Sequence, residues 1–279
     1  MKPTTDGAGT ETHGLKVEAI MTARVAVVSE SDTLAFAAQI LLWRRIRHLP
    51  VVNANGNLVG ILSDRDLLRL VVEGPAGSVP VREVMQTAVE SVSPGTTISE
   101  ASAILVRKCI DALPVVEKGK LVGIVSTSDI LAERAKRTDR KGFSAADIMR
   151  RELFVSHPDD SVASAVEKLV RWNIRHLPVV DADYRVIGVL SDRDVRSAAG
   201  DPREAMTRSH RDGFLSDVRV DSLMQRKPIT IPTTMGLFEI GDLLLRERIG
   251  AVPVVHDDDK LVGIVSYVDV LAHLIGNRS

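Results

Sequence analysis

Four Ser-x-x-Asp pairs recur along this chain: Ser63 with Asp66, Ser126 with Asp129, Ser191 with Asp194, and Ser266 with Asp269. Ahead of a helix such a pair reads as a capping box, with Ser at the N-cap and the acid at N3, although Glu or Gln is the usual acid there. These two positions alone leave the reading open between a helix cap and a ligand contact. Cationic neighbours separate the copies. In the first copy Ile46-Arg47-His48 leads into Leu49-Pro50 and Arg65 stands inside the motif; in the third Ile174-Arg175-His176 leads into Leu177-Pro178, with Arg193 inside the motif. The second and fourth copies carry Asp111-Ala112 and Gly250-Ala251 before the strand, with Ser128 and Val268 in place of the motif arginine. A single exposed Arg usually pairs with a surface acid. Three cationic positions recurring together in odd copies only predict an anion-binding cleft in each of those copies.

Other candidates carry less. Trp43 and Trp172 end amphipathic helices out of register with each other, which predicts core or interface packing. Asp257-Asp258-Asp259 falls where a turn is expected, and Arg44-Arg45 at a solvated helix end. His13, His157, His210, His256 and His273 lack ligand spacing, so no metal site is expected. No nucleophile elbow, P-loop or dinucleotide fingerprint occurs, which argues against an enzyme and gives no catalytic residue. The 36 basic residues nearly balance 37 acidic ones, so nothing favours nucleic acid. Cys109 is the only cysteine, which fits a reducing compartment, and the cytoplasm is expected. The longest apolar stretch, residues 34–43, is far short of the roughly 20 residues a membrane span needs.

The elements that position these residues are repeats. Met21, Met85, Met149 and Met224 each precede a proline by 29 positions, namely Pro50, Pro114, Pro178 and Pro253. Gly60, Gly123, Gly188 and Gly263 follow those prolines by 10, 9, 10 and 10 positions. Within a repeat, a β-branched run such as 25–28 or 229–231 predicts a strand. A helix capped near Thr33 or Ser161 follows, then a hairpin turning at 53–57, then a second helix, 63–72 in the first copy. The fold class is α+β: four β-α-β-β-α repeats forming two pseudo-twofold paired modules, first with second and third with fourth. The expected division is a disordered tail over 1–14, a first module over 15–136 (repeats 15–73 and 79–136), and a linker over 137–143. A second module follows over 144–278 (repeats 144–200 and 217–278), with a polar connector over 197–216.

The Met-led strands, the Leu-Pro-Val-Val strand, the hairpin, and the Gly-hydrophobic-hydrophobic-Ser-x-x-Asp ending together resemble the CBS domain, over residues 15–277. The resemblance implies clefts for an adenosine-containing ligand, AMP, ADP, ATP or S-adenosylmethionine, and no other cofactor. NAD-type and cyclic dinucleotide ligands are not separated from these. The acids of the four motifs would bind ribose, since a carboxylate accepts hydrogen bonds from both hydroxyls of the sugar at roughly 1.5–3 kcal/mol each. Residues before the Leu-Pro would line the adenine pocket or reach phosphate, and Arg65 and Arg193 would meet phosphate. The resemblance implies a regulatory protein that changes conformation and acts on a partner not identifiable from sequence, as a homodimer or as a self-contained disc. The alternative is an assembly module with empty clefts.

Overall fold

The computed structural model describes residues 14–73, 78–135, 142–198 and 215–276. The expected tail up to residue 13, most of the 137–143 linker and the connector from 199 to 214 lie outside them. Each repeat opens on a lead-in that touches the first hairpin strand in parallel, at Val28–Ser29, Val92, Ser156 and Ile231–Pro232. This first strand is shorter than the run over 25–28 predicted, because pairing starts only where Val28 reaches Val51.

The first helices follow, Leu34–Arg44, Ile98–Lys108, Val162–Arg171 and Leu237–Glu247. Thr33, Thr97 and Ser161 cap three of them by accepting the N3 amide, which satisfies a donor the helix itself cannot. Past each helix the chain turns on a non-glycine residue in the left-handed region: Arg45, Cys109, Asn173 and Arg248, at φ of 53°, 52°, 53° and 54°. Antiparallel hairpins come next, His48–Val52 with Leu58–Ser63, Ala112–Glu117 with Lys120–Ser126, His176–Val180 with Val186–Ser191, and Ala251–Val255 with Leu261–Ser266. The second helices close the repeats, Asp64–Glu73, Thr127–Ala135, Asp192–Ala198 and Tyr267–Leu274.

The recurring Met and Gly explain each other across repeats. The residue after each Met joins the neighbouring repeat's sheet: Thr22 bridges Ile124, Gln86 bridges Ile61, Arg150 bridges Ile264, and Gln225–Arg226 pair with Val189 and Gly188. Each Met thereby lies across the other repeat's glycine, Met21 on Gly123, Met85 on Gly60, Met149 on Gly263 and Met224 on Gly188. A β-carbon on any of those glycines would fall within 3.0 Å of the sulfur, so the glycine is required by close approach rather than by its φ.

Helices join the repeats in a different order. One core unites Ile98, Leu105 and Ile130 of the second repeat with Ile240, Leu244 and Leu271 of the fourth. Another sets Leu68 of the first repeat among Val166, Leu169 and Val195 of the third. Sheets therefore join first to second and third to fourth, while helices join first to third and second to fourth. Apolar periodicity marks a helix face as buried without naming what buries it, so this second pairing was not readable from spacing. No helix among the described residues is long and apolar enough to cross a membrane.

Candidate functional site

All four Ser-x-x-Asp pairs do form caps, and they use one carboxylate oxygen to do it. Oδ2 of Asp194 accepts the Ser191 amide at 2.8 Å and the Ser191 hydroxyl at 2.5 Å. Asp66, Asp129 and Asp269 hold Ser63, Ser126 and Ser266 in the same way. The cap and the ligand contact are thus compatible, because Oδ1 remains. Its surroundings differ by repeat. Oδ1 of Asp269 takes Arg150 Nε at 2.8 Å, and Oδ1 of Asp66 faces Gln86 Nε2 at 3.5 Å. For Asp129 and Asp194 no bond to Oδ1 occurs among the described residues. The facing residues Gln86, Arg150 and Gln225 all come from the residue after the partner repeat's Met, so each cleft is built by two repeats.

The cleft beside Asp194 gathers three arginines, Arg47, Arg193 and Arg248. It is lined by Ser191, Arg193 and Asp194 of the third repeat, by Gln225 and Arg248 to Ala251 of the fourth, by His176, and by Arg47 reaching over from the first. Neither Arg47 nor Arg193 makes an ion pair among the described residues, and Arg193 is exposed. Burial, and then the nearby Arg47 guanidinium, press the Arg193 pKa down. Unpaired like charges of this kind are relieved by an anion. Spacing did not single out Arg248. A signal existed: it sits five positions before Pro253, as Arg45, Cys109 and Asn173 sit before their own prolines, on the left-handed turn between helix and hairpin.

The first repeat carries the same motif letters but a different charge arrangement. Arg175, the counterpart of Arg47, crosses the other way and is consumed there: it meets Asp111 Oδ2 at 2.6 Å and Asp64 Oδ1 at 3.0 Å. Burial works against its charge, but Asp111, Asp64 and Asp192 together hold its pKa above the ordinary value. Arg196 meets the other oxygen of Asp64 at 3.0 Å, and Asp64 is fully buried. Arg65 donates to Asn173 Oδ1 rather than to a neighbouring acid. The expected grouping of Arg47 with His48 and Arg65, and of Arg175 with His176 and Arg193, is therefore corrected: the two modules exchange arginines.

The imidazoles do not add charge. Burial, and then Arg47 and Arg175, push the His176 pKa down to about 3, and burial followed by Arg175 lowers that of His48. Both rings are neutral near pH 7, so the expected cationic role falls to the guanidiniums alone. Ile46 and Ile174 pack against the cores of the first and third repeats and are not among the residues lining the Asp194 cleft. Trp172 stacks on Phe154 at 4.5 Å between ring centroids. Trp43 is 72% exposed, so of the two expected placements, core or interface, it is not core. The 257–259 acids lie in the hairpin turn, where Asp258 pairs with Lys260 at 2.9 Å. A larger hollow of about 450 Å³, lined by Met149, Arg151, Thr233 and His256, contains no motif acid.

The chain is similar to known proteins. MJ1225 of Methanocaldococcus jannaschii is 25% identical over 270 residues, covering 90% of this chain and 95% of that protein. Its crystal structure, described as that of a candidate archaeal homologue of γ-AMPK, superposes with a TM-score of 0.85 over 93% of this chain and all of that one. YhcV of Bacillus subtilis, a CBS domain-containing protein, is 38% identical over 115 residues, 41% of this chain and 81% of its own length. CBSX2, solved in complex with AMP, is 29% identical and spans 49% of this chain and all of its own, at a TM-score of 0.41. The CBS domain profile matches residues 17–73, 81–136, 145–201 and 219–276, one match to each repeat. With its four repeats built alike and matched in turn, the chain belongs to the CBS domain family.

Proposed function

We propose that this chain is a non-catalytic regulatory protein of the cytoplasm that binds an adenine nucleotide or related adenosyl ligand in the cleft beside Asp194. One observation carries the reading: a motif acid with one oxygen spent on the cap and, among the described residues, the other unengaged, next to two guanidiniums that make no ion pair among those residues. Asp194 would take the ribose hydroxyls and Arg193 with Arg47 the phosphates, through charge-assisted bonds. The cleft encloses about 120 Å³, below the roughly 300 Å³ of a small-ligand pocket, so arginine side chains must swing outward on binding. Arg47 belongs to the first module and the remaining contacts to the second. A ligand that engages both biases their relation, and an unidentified partner protein reads the change.

Thermal denaturation and calorimetric titration with AMP, ADP, ATP and S-adenosylmethionine test this. A ligand at 100 times its Kd stabilises the fold by about 2.7 kcal/mol, and Arg193→Glu should abolish that gain. Flat responses to all four ligands would favour the assembly reading, which the Arg150–Asp269 pair already supports for the fourth repeat's cleft.

A further inference from the structure

The four residues three places before the strand prolines are equivalent in space as well as in sequence. The carbonyls of Arg47, Asp111, Arg175 and Gly250 each accept the amide that follows a motif serine, from Asp64 at 2.9 Å, Thr127 at 2.9 Å, Asp192 at 3.1 Å and Tyr267 at 3.3 Å. In the odd repeats this position is the arginine that crosses to the other module. In the even repeats it decides what that arginine meets. Arg175 arrives at Asp111 and forms a 2.6 Å ion pair. Arg47 arrives at Gly250, which has no side chain, and a β-carbon there would lie 3.2 Å from Arg47 Nη2 and 2.7 Å from His176 Cε1.

Resting on the nucleotide reading for the nature of the ligand, we propose that position 111/250 selects which cleft accepts an anion. Asp111 is a built-in carboxylate that occupies Arg175 as a ligand phosphate would. Gly250 leaves Arg47 without an ion pair among the described residues and the Asp194 cleft open, so the chain takes one anionic ligand there and none beside Asp66. The two clefts share the motif Ser-Asp-Arg-Asp, so the motif cannot be what distinguishes them. Charge does: the Asp66 cleft has a carboxylate satisfying its crossing arginine, and Arg65 is engaged by Asn173. The Asp194 cleft has neither compensation. The buried neighbour Asp192 even keeps one carboxylate oxygen without a hydrogen bond, rather than holding Arg47 as Asp64 holds Arg175.

Native mass spectrometry and calorimetry of the full chain test this with two probes, pyrophosphate for the anion site and ADP for the nucleotide. Wild type should bind one equivalent of each. Asp111→Asn removes the charge at constant shape and releases Arg175 Nη2, while Nη1 stays on Asp64, so the chain should stay folded and bind two equivalents. Gly250→Asp should weaken binding at least tenfold and clearly more than Gly250→Ala, whose β-carbon crowds His176 and Arg47 without adding a charge. Two equivalents on wild type, one on Asp111→Asn, equal loss in both Gly250 variants, or no pyrophosphate binding at all would overturn the selection. Binding of pyrophosphate but not ADP, with the variants behaving as expected, would uphold it and sink the nucleotide reading instead.

Discussion

The clefts of the first and third repeats begin with nearly the same letters and end with opposite electrostatics. Each has Ser-Asp-Arg-Asp at the start of its second helix and Arg-His ahead of its Leu-Pro strand. Around Asp66, however, the crossing Arg175 is locked by Asp111 and Asp64, and Arg65 is engaged by Asn173. Around Asp194, Arg47 and Arg193 line the cleft and make no ion pair among the described residues. The difference comes from Asp111 and Asn173, which lie outside the motif and belong to other repeats, and from the motif's own Asp64, which they leave bound to the crossing arginine. A site assembled from three repeats is set by its least conspicuous contributor, here a glycine.

The strongest way to break this comparison is to strip the locked side. Asp64→Ala leaves Arg175 and Arg196 without their buried partner, and removing one member of a buried pair costs about 3–5 kcal/mol. Urea denaturation should show that loss. Asp192→Ala, at the equivalent place, should cost clearly less, because Asp192 has an unbonded oxygen and lies 3.7 Å from Arg175. Equal costs would mean that the two sides are not different after all.

Acid titration gives the next effect. His176 has a folded pKa of about 3 against an ordinary value of 6.5. Near pH 7 it is neutral in both states and contributes nothing to the pH dependence. As pH falls below 6.5 the unfolded chain takes up a proton that the folded chain refuses, so stability declines by up to about 1.4 kcal/mol per pH unit. His48 acts in the same direction. Denaturation midpoints from pH 7 to 5 should fall, and His176→Asn should flatten the slope. A midpoint that rises on acidification would contradict the neutral imidazoles.

Smaller effects test the frame that both clefts share. Gly188→Ala drives a β-carbon into Met224, and Gly60→Ala into Met85. Overpacking of this kind costs about 1–3 kcal/mol, the flexible thioether keeping it toward the low end. Both should lower the denaturation midpoint alike, since the Met–Gly contact is the same in the two modules. Thr97→Ala, which removes the N-cap that accepts Glu100 N at 3.2 Å, should cost about 1 kcal/mol without changing ligand binding.

The repeat number and the order of elements were readable in the chain because each depends on residues close together or at a fixed spacing, whereas the Ser-x-x-Asp pairs left cap and ligand contact open. Thr33 and Ser161 cap where their residue types predicted, and the 53–57 segment turns on Gly56 at φ of 76°. The serines and acids of the motifs stand together as expected. The exchange of Met and Gly between repeats was visible as a rule but not as a contact. The grouping of the cations was misread for a physical reason: Arg47 and Arg175 have long side chains, and the backbone position of such a residue does not say which module its guanidinium reaches.

By itself the sequence determined what is local: β-branched runs that favour strands, Ser, Thr and Asp that cap helices, Asn and Gly that turn hairpins, and a fourfold rhythm that requires one unit to be built four times. Only the tertiary structure decided which units meet through sheets and which through helices, and therefore that Asp111 faces an arginine where Gly250 faces a cleft. Hydrophobic burial is non-directional and fixes which faces are hidden. Charge depends on distances of a few ångströms between residues far apart in the chain, and those distances exist only after the modules have packed.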